Sequence, residues 1–124
     1  MSGEQRPVIV LVDDDPLLRE LVKRILARQE HPVLDTGDSG RALHWCETEP
    51  VGLLISDVGL LTMSGPELAR EVRRRHPGLP VLLISGLPEG DLRLERDENT
   101  SFLQKPFDAD ALLDLVRDAL SPAP

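Results

Sequence analysis

Short aliphatic runs alternate along this chain with segments whose apolar residues recur at helical spacing. The first run, Val8–Val12, contains no polar residue. A strand without a polar face has to be covered on both faces, which is the situation of a strand inside a parallel sheet. Shorter or more polar runs follow at Val33–Thr36, Val51–Ser56, Val81–Ser85 and Ser101–Gln104. The alternation predicts an α/β fold built on a doubly wound, five-stranded parallel sheet with helices on both faces.

The segment after the first run has the features of a helix start. Asp15 is a good N-cap residue, and Pro16 suits the first helical position. The apolar residues that follow recur at helical spacing and predict a broad buried stripe. That stripe comprises Leu17, Leu18, Leu21, Val22, Ile25 and Leu26.

Three further helices are predicted from caps and periodicity. Residues 39–48 form the second, and Ser64 with Glu67 has the spacing of a capping box at the start of the third. Arg73–Arg75 close that helix, and we expect them to form a solvated helix end. Asp108 is expected to cap the last helix.

Charge and composition restrict the location and the partners of the chain. The net charge of −8 argues against binding nucleic acid, which needs a basic face. The single cysteine excludes a disulfide framework. No apolar stretch approaches the roughly 20 residues that span a bilayer. The first residues lack a secretory signal. We therefore expect a cytoplasmic chain without a membrane partner. One domain is expected over residues 6–120, with 1–5 and 121–124 as flexible ends or linker remnants.

Polar side chains follow four of the predicted strands. They are Asp13 and Asp14, then Asp57, Ser85 and Lys105. Because ligands of open parallel sheets bind at the carboxyl ends of the strands, we expect these side chains to converge. Carboxylate oxygens suit Mg²⁺, a hydroxyl and an ammonium suit phosphoryl oxygens, and an exposed carboxylate is a potential nucleophile. The pattern predicts a site for phosphoryl transfer.

The motifs VLVDDDPLLREL, LLISDVGLLTMSGPEL, VLLISG and FLQKPF resemble the receiver domains of two-component response regulators, in the same order and over nearly the whole chain. The resemblance implies the strand order 2-1-3-4-5 of CheY-like proteins. It also implies a phosphoprotein of phosphorelay signal transduction, phosphorylated by a histidine kinase or a histidine phosphotransfer domain. Such a domain is a conformational switch and not an enzyme for an external substrate, since it catalyses only its own phosphorylation and dephosphorylation.

The same resemblance assigns roles around the phosphorylation site. Asp57 matches the phosphoacceptor and one of the metal ligands. Asp14 matches a direct Mg²⁺ ligand, Asp13 matches the residue that holds a metal-bound water, and Gly59 matches the position whose backbone carbonyl completes the protein ligands. Ser85 matches the hydroxyl residue that moves towards the phosphoryl group.

Further residues match positions that act in catalysis, switching and docking. Lys105 matches the lysine that contacts the phosphoryl group, and its bond to Pro106 is implied to be cis. Phe102 matches the aromatic switch position. Leu18, Pro106 and Phe107 lie where receivers dock the helical bundle of the phosphodonor.

The chain departs from the family pattern in three places. Gly59 lacks the side chain that often tunes the lifetime of the phosphoryl group, which leaves the site more open to water. Leu61 replaces the usual proline of the loop after the phosphoacceptor, which predicts a more mobile loop. Residues 86–100 are rich in glycine, proline and charge, so the fourth helix of the family is expected to be short or irregular, and dimerisation beside it is in doubt. The variants GPELA, LLISG and FLQKPF look most like receivers of hybrid sensor histidine kinases. A domain of a longer protein and a stand-alone receiver both fit.

Two other functions remain open from the residues. A haloacid-dehalogenase-like, Mg²⁺-dependent phosphatase also uses aspartates after its first strand, a later hydroxyl residue and a lysine, which Asp13–Asp15, Ser85 and Lys105 can mimic. That reading leaves Asp57 without a role. A degenerate receiver that acts only as a docking module is the other alternative, and the complete set of acidic residues and lysine argues against it.

Overall fold

A five-stranded parallel sheet organises the computed structural model, which describes residues 6–60, 63–88, 90 and 99–121. The strands are β1 (Val8–Val12), β2 (Val33–Thr36), β3 (Val51–Asp57), β4 (Val81–Ser85) and β5 (Thr100–Gln104). They lie in the order β2-β1-β3-β4-β5, and all neighbours are parallel. The predicted fold class and strand order are confirmed, although β3 and β5 each extend one residue beyond the predicted bounds.

Helices connect the strands and cover the sheet. In the described part of the chain they are α1 (Pro16–Leu26), α2 (Ser39–Thr48), α3 (Gly65–Arg75) and α4 (Ala109–Leu120). The expectation of a short or irregular helix between β4 and β5 falls mostly on residues 89 and 91–98, which lie outside the described residues, as does Leu61. Among the described helices, none is long and apolar enough to cross a membrane.

The sheet is buried on both faces, as the aliphatic runs predicted. Every residue of β1 is buried, and its side chains alternate between two separate cores. Val8, Val10 and Val12 face α2 and α3, whereas Ile9 and Leu11 face α1 and α4. The helices contribute their buried residues to the corresponding side, namely Ala42, Cys46, Leu68 and Val72 on one and Val22, Leu26, Leu112 and Val116 on the other. A sheet covered in this way can present polar residues to solvent only at or beyond the strand ends.

The buried stripe of α1 is narrower than the apolar periodicity predicted. Leu17 is 83% exposed and Leu21 is 51% exposed, so the prediction that they belong to the core is wrong. Val22, Ile25 and Leu26 are buried, and Leu18 packs partly against them. Because a helix on a sheet face is covered on one side only, leucines at i and i+4 on its outer side stay in water. The sequence pattern could not show where that boundary falls.

The arginine run at the end of α3 divides into two kinds of residue. Arg74 and Arg75 are exposed, as expected for a helix end. Arg73 is half-buried, and its guanidinium donates hydrogen bonds to the carbonyl oxygens of Leu79 and Asn99 and to the hydroxyl of Thr100. The prediction of a solvated side chain is therefore wrong for Arg73. The guanidinium on its long side chain reaches backbone oxygens just before β4 and β5. Local sequence does not reveal this arrangement.

Each predicted cap is present at the edge of the sheet where the strands end. The Asp15 carboxylate accepts a hydrogen bond from the Leu17 amide at 3.0 Å. Ser64 and Glu67 form the reciprocal capping box, and the Asp108 carboxylate accepts from Ala111 at 2.8 Å. These caps satisfy amide groups at the first turns of the helices. They therefore fix where α1, α3 and α4 begin relative to the strand ends.

The start of α3 lies unusually close to the end of β3. The Gly65 amide donates a hydrogen bond to the Val58 carbonyl at 2.8 Å. A Cβ atom at Gly65 would lie 2.5 Å from the Asp57 carbonyl oxygen and 3.1 Å from both the Ser56 hydroxyl oxygen and the Val58 Cα atom. Two of these three neighbours are backbone atoms and cannot rotate away. Glycine is thus required at this position by the close approach of the helix to the strand end.

Gly65→Ala is expected to destabilise the domain by about 1–3 kcal/mol, because the added methyl group forces the helix away from the strand. Urea denaturation of the purified chain measures this change in the free energy of unfolding. Gly78→Ala is the matched control, since a Cβ atom there meets nothing within 4 Å. An equal cost for the two substitutions would contradict the close approach at Gly65.

Candidate functional site

The register of the strands brings the predicted polar residues to one edge of the sheet. Val12 is paired with Ser56, so Asp13 lies beside the end of β3. Asp57 is paired with Ile84, which places Ser85 one residue further along the neighbouring strand. Ser85 is in turn paired with Gln104, the residue before Lys105. The convergence expected from the sequence follows directly from these pairings.

Asp57 is the last residue of β3, and its carboxylate is held from two directions. One oxygen, Oδ1, accepts a hydrogen bond from the Lys105 ammonium at 2.8 Å. The other oxygen, Oδ2, accepts from the Gly59 amide at 3.0 Å. The side chain is 14% exposed and that of Lys105 is 31% exposed, so the pair lies at the surface of the sheet edge and not inside the core. The carboxylate is therefore oriented and still accessible from solvent.

Asp13 is the most enclosed carboxylate of the site. The residue is 4% exposed, and its Oδ1 atom accepts a hydrogen bond from the Asp15 amide at 2.9 Å. Burial raises the pKa of Asp13 above its usual value, and repulsion from Asp57 and Asp14 adds to this. The Asp15 amide and the Lys105 charge act in the opposite direction. Negative charge is thus concentrated at this edge beyond what Lys105 neutralises.

Asp14 differs from Asp13 in its exposure and its contacts. It is half-buried, and its carboxylate makes no hydrogen bond or ion pair with the part of the chain that the structure describes. Its side chain remains available to a ligand.

Lys105 and Ser85 are joined through the backbone. The Lys105 amide donates to the Ser85 carbonyl at 2.7 Å, which continues the pairing of β4 and β5 past the end of β5. The bond between Lys105 and Pro106 is cis, as the resemblance implied. Ser85 is 6% exposed, and its hydroxyl oxygen accepts a hydrogen bond from the Leu87 amide at 3.0 Å. The hydroxyl hydrogen is thus free to be donated elsewhere.

The remaining predicted residues lie on two different sides of the sheet. Phe102 is half-buried on β5 and packs against the core shared with α2 and α3. Leu18 and Phe107 pack against the other core, shared with α1 and α4, and Pro106, which precedes Phe107 in the chain, is exposed. The predicted switch residue and the predicted docking residues therefore face opposite layers of the domain.

The donor set fits a hard divalent cation. Carboxylate oxygens and a backbone carbonyl are the ligands that Mg²⁺ takes in proteins, usually together with several waters. Within the described ranges, no group of three or more His, Cys, Asp or Glu side chains is arranged to hold an ion. The implied site needs fewer, because only Asp14 and Asp57 would bind directly, with the Gly59 carbonyl, while Asp13 would act through water. Burial is the main reason why the pKa of Asp13 is raised, and a cation would relieve the smaller part that comes from repulsion by Asp57 and Asp14.

Two residues next to the site were not singled out from the sequence. The Arg19 guanidinium donates a hydrogen bond to the Asp13 carbonyl at 2.6 Å, although in the sequence Arg19 is only one polar residue between apolar positions of α1. Gly65 allows the close approach at Asp57 described above. Both contacts depend on the distance between separate elements. The sequence carries no signal for such distances.

Comparison with known proteins identifies this arrangement of residues. The family model described as the response regulator receiver domain matches residues 9–117. The chain is 39% identical over 119 residues to the response regulator protein FleR of Pseudomonas aeruginosa, covering 94% of this chain and 25% of FleR. The chain spans about a quarter of the length of the curated relatives it matches, and several of these are transcriptional regulatory proteins.

Solved structures are similar over nearly the whole chain. The signal receiver domain of an HD domain-containing protein from Pseudomonas fluorescens Pf-5 superposes with a TM-score of 0.85 and 28% identity, covering 97% of this chain and 90% of that one. The receiver domain of the hybrid histidine kinase CckA superposes with a TM-score of 0.77 and 30% identity, covering 92% and 99%. Fold, strand-end residues and family model agree, and the chain belongs to the response regulator receiver domain family.

Proposed function

We propose that Asp57 accepts a phosphoryl group from a histidine kinase or a histidine phosphotransfer domain, and that the acyl phosphate switches the conformation of the domain. The observation that carries this proposal is the contact of the Lys105 ammonium with the Asp57 carboxylate at 2.8 Å. It combines a nucleophile at a strand end with a cation that stabilises the incoming phosphoryl oxygens. Membership of the receiver family supports the same chemistry.

The proposed reaction is an in-line displacement at phosphorus. An oxygen of the Asp57 carboxylate forms a bond to phosphorus as the phosphorus–nitrogen bond of the donor phosphohistidine breaks, and the electron pair returns to the imidazole. Lys105 exchanges its contact with the carboxylate for one with the phosphoryl group and offsets its charge. The Ser85 hydroxyl donates a hydrogen bond to a phosphoryl oxygen. Positioning and charge stabilisation account for most catalysis of this type.

A magnesium ion belongs to the proposed site. Asp14, Asp57 and the Gly59 carbonyl would hold it directly, and Asp13 would do so through a water molecule. When bound, the ion neutralises charge on the phosphoryl oxygens. The enclosed position of Asp13, with its carboxylate already fixed by the Asp15 amide, suits an indirect role.

The switch is proposed to start at Ser85 and to reach Phe102. Ser85 lies at the end of β4. Leu83, two residues earlier on β4, is paired with Phe102 on β5. Movement of the Ser85 hydroxyl towards the phosphoryl group would open space next to β5, which Phe102 could fill. Such a change needs two packings of similar free energy, between which the acyl phosphate selects.

The surface around the site is proposed to bind the phosphodonor. Leu18, Pro106 and Phe107 lie beside the carboxyl ends of β1 and β5 and would contact its helical bundle. The chain is proposed to act as a cytoplasmic receiver over residues 6–120, within a longer regulatory protein, and without a direct contact to nucleic acid or membrane. The lengths of the curated relatives support a longer protein.

The two alternatives account for the site less well. A haloacid-dehalogenase-like phosphatase would need Asp13 as the nucleophile, yet Asp13 is 4% exposed and its carboxylate is engaged by the Asp15 amide. Asp57, the carboxylate in contact with Lys105, would have no role. A degenerate docking module would not need Asp14, Asp57 and Lys105 together at one edge.

Incubation with Mg²⁺ and phosphoramidate is expected to place one acid-labile phosphoryl group on Asp57. Mass spectrometry of peptides locates the label. Asp57→Asn should abolish it, because the amide is not a nucleophile of comparable strength. Asp118→Asn, which alters an exposed carboxylate on α4, should leave labelling unchanged. A label on Asp13 in the unsubstituted chain would instead support the phosphatase.

Mg²⁺ is expected to stabilise the fold, because a cation that binds only the folded chain relieves the repulsion among its carboxylates. At a hundred times the Kd for the ion, the free energy of unfolding should rise by about 2.7 kcal/mol. Urea denaturation with and without MgCl₂ measures the effect, with NaCl at equal ionic strength as the control. Asp14→Asn should remove most of the gain. An unchanged midpoint in the unsubstituted chain would rule out the proposed metal site.

A further inference from the structure

The Arg19 side chain connects the acidic loop after β1 to strand β2. Its Nη1 atom donates a hydrogen bond to the Asp13 carbonyl oxygen at 2.6 Å, and its Nε atom donates to the Asp35 carboxylate at 3.1 Å. Arg19 and Asp35 are 24% and 25% exposed at their side chains. A charge-assisted contact with this degree of burial is shielded from water better than an ordinary surface ion pair. The guanidinium therefore lies in a fixed position between the two elements.

The Asp13 carbonyl belongs to the peptide unit that leads into Asp14. The Asp13 amide donates to the Thr36 carbonyl at 3.1 Å, and the Asp13 carboxylate accepts from the Asp15 amide at 2.9 Å. With the Arg19 contact, both backbone polar groups of Asp13 and the Oδ1 atom of its carboxylate are engaged. The Asp14 carboxylate has no such contact in the described ranges. The backbone that carries Asp14 is held on several sides while its side chain stays available.

We propose that Arg19 is a positioning residue for the magnesium site, which fixes the peptide between Asp13 and Asp14 so that the Asp14 carboxylate is presented to the ion. The proposal rests on the magnesium site of the proposed function. Asp35 holds the guanidinium in place, and Lys23 approaches the other oxygen of Asp35 at 3.4 Å. Residues that orient metal ligands from outside the coordination shell commonly determine a large part of metal affinity.

Gly37 lies against the Arg19 guanidinium and provides a second way to disturb its contact with Asp13. A Cβ atom at this glycine would lie 2.8 Å from the Arg19 Nη1 atom, and 3.5 Å from the Asp13 carbonyl oxygen. The guanidinium is the end of a flexible side chain and can move aside, so alanine at position 37 is compatible with the fold. No glycine in the described ranges has a positive φ, and the backbone there accepts alanine. Gly37→Ala should therefore displace the guanidinium without removing its charge.

The direction in which Mg²⁺ affinity changes when Arg19 is replaced separates a positioning role from a simple electrostatic one. Arg19 carries a positive charge close to an anionic site, so through space it opposes the binding of a cation. If charge alone mattered, Arg19→Met would strengthen Mg²⁺ binding. Positioning predicts the reverse, because the loop that carries Asp14 loses its support.

Isothermal titration of the chain with MgCl₂ tests the proposal without any phosphorylation. Arg19→Met is expected to weaken Mg²⁺ binding about tenfold. Gly37→Ala is expected to weaken binding in the same direction with the charge retained. Arg24→Met is the matched control, since Arg24 is 79% exposed on the same helix and pairs only with Glu20 at 3.7 Å among the described residues. Its Mg²⁺ affinity should be unchanged or slightly higher.

Several results would overturn the positioning role. Equal or tighter Mg²⁺ binding by Arg19→Met, in a chain whose unsubstituted form binds the ion, would reject it and leave the proposed function intact. Unchanged binding by Gly37→Ala would do the same should Arg19→Met fail to fold, as judged by circular dichroism. The absence of Mg²⁺ binding by the unsubstituted chain would instead reject the metal site itself, and the role of Arg19 with it.

Discussion

The carboxylates of Asp13, Asp14 and Asp57 are held at one edge of the sheet by strands that are buried on both faces, and the rest of the site balances that concentration of negative charge. Burial, and to a smaller extent repulsion from Asp57 and Asp14, raises the pKa of Asp13, so its ionised form is disfavoured in the chain without a further cation. Lys105 compensates part of it through its contact with Asp57. A divalent cation would compensate the rest, and a phosphoryl group would add negative charge that the same cation and Lys105 offset, so the binding of the cation and of the phosphoryl group is linked.

The geometry of the site depends on contacts outside it. Gly65 permits α3 to begin next to the backbone of Asp57, and the capping box at Ser64 fixes that beginning. Arg19 supports the loop on the other side, next to Asp13. Both supports contact backbone atoms of the residues that carry the carboxylates, and neither contributes a ligand itself. The proposed function needs rigidity around the acidic edge and freedom at Ser85 and Phe102.

The fold and the convergence of the polar residues at one edge of the sheet could be predicted because each depended on a local pattern. The unbroken run Val8–Val12 indicated a strand covered on both faces, and the polar residues after each strand had to meet at one edge. The caps at Asp15 and Asp108 are local as well. What failed were predictions that depend on how far one element extends over another. Leu17 and Leu21 satisfy the helical period yet lie on the side of α1 that faces solvent. Arg73 donates to the carbonyl oxygens of Leu79 and Asn99, which lie 6 and 26 residues further along the chain.

The central claim is that Asp57 and Lys105 form one phosphoryl-binding unit, with Ser85 beside it. A crystal structure grown with Mg²⁺ and beryllium fluoride, which forms a stable mimic of an acyl phosphate on carboxylates, tests it most directly. We expect beryllium bonded to an oxygen of Asp57, with the Lys105 ammonium and the Ser85 hydroxyl within hydrogen-bond distance of the fluorine atoms. Beryllium on Asp13, or an adduct on Asp57 that Lys105 and Ser85 do not contact, would contradict the account.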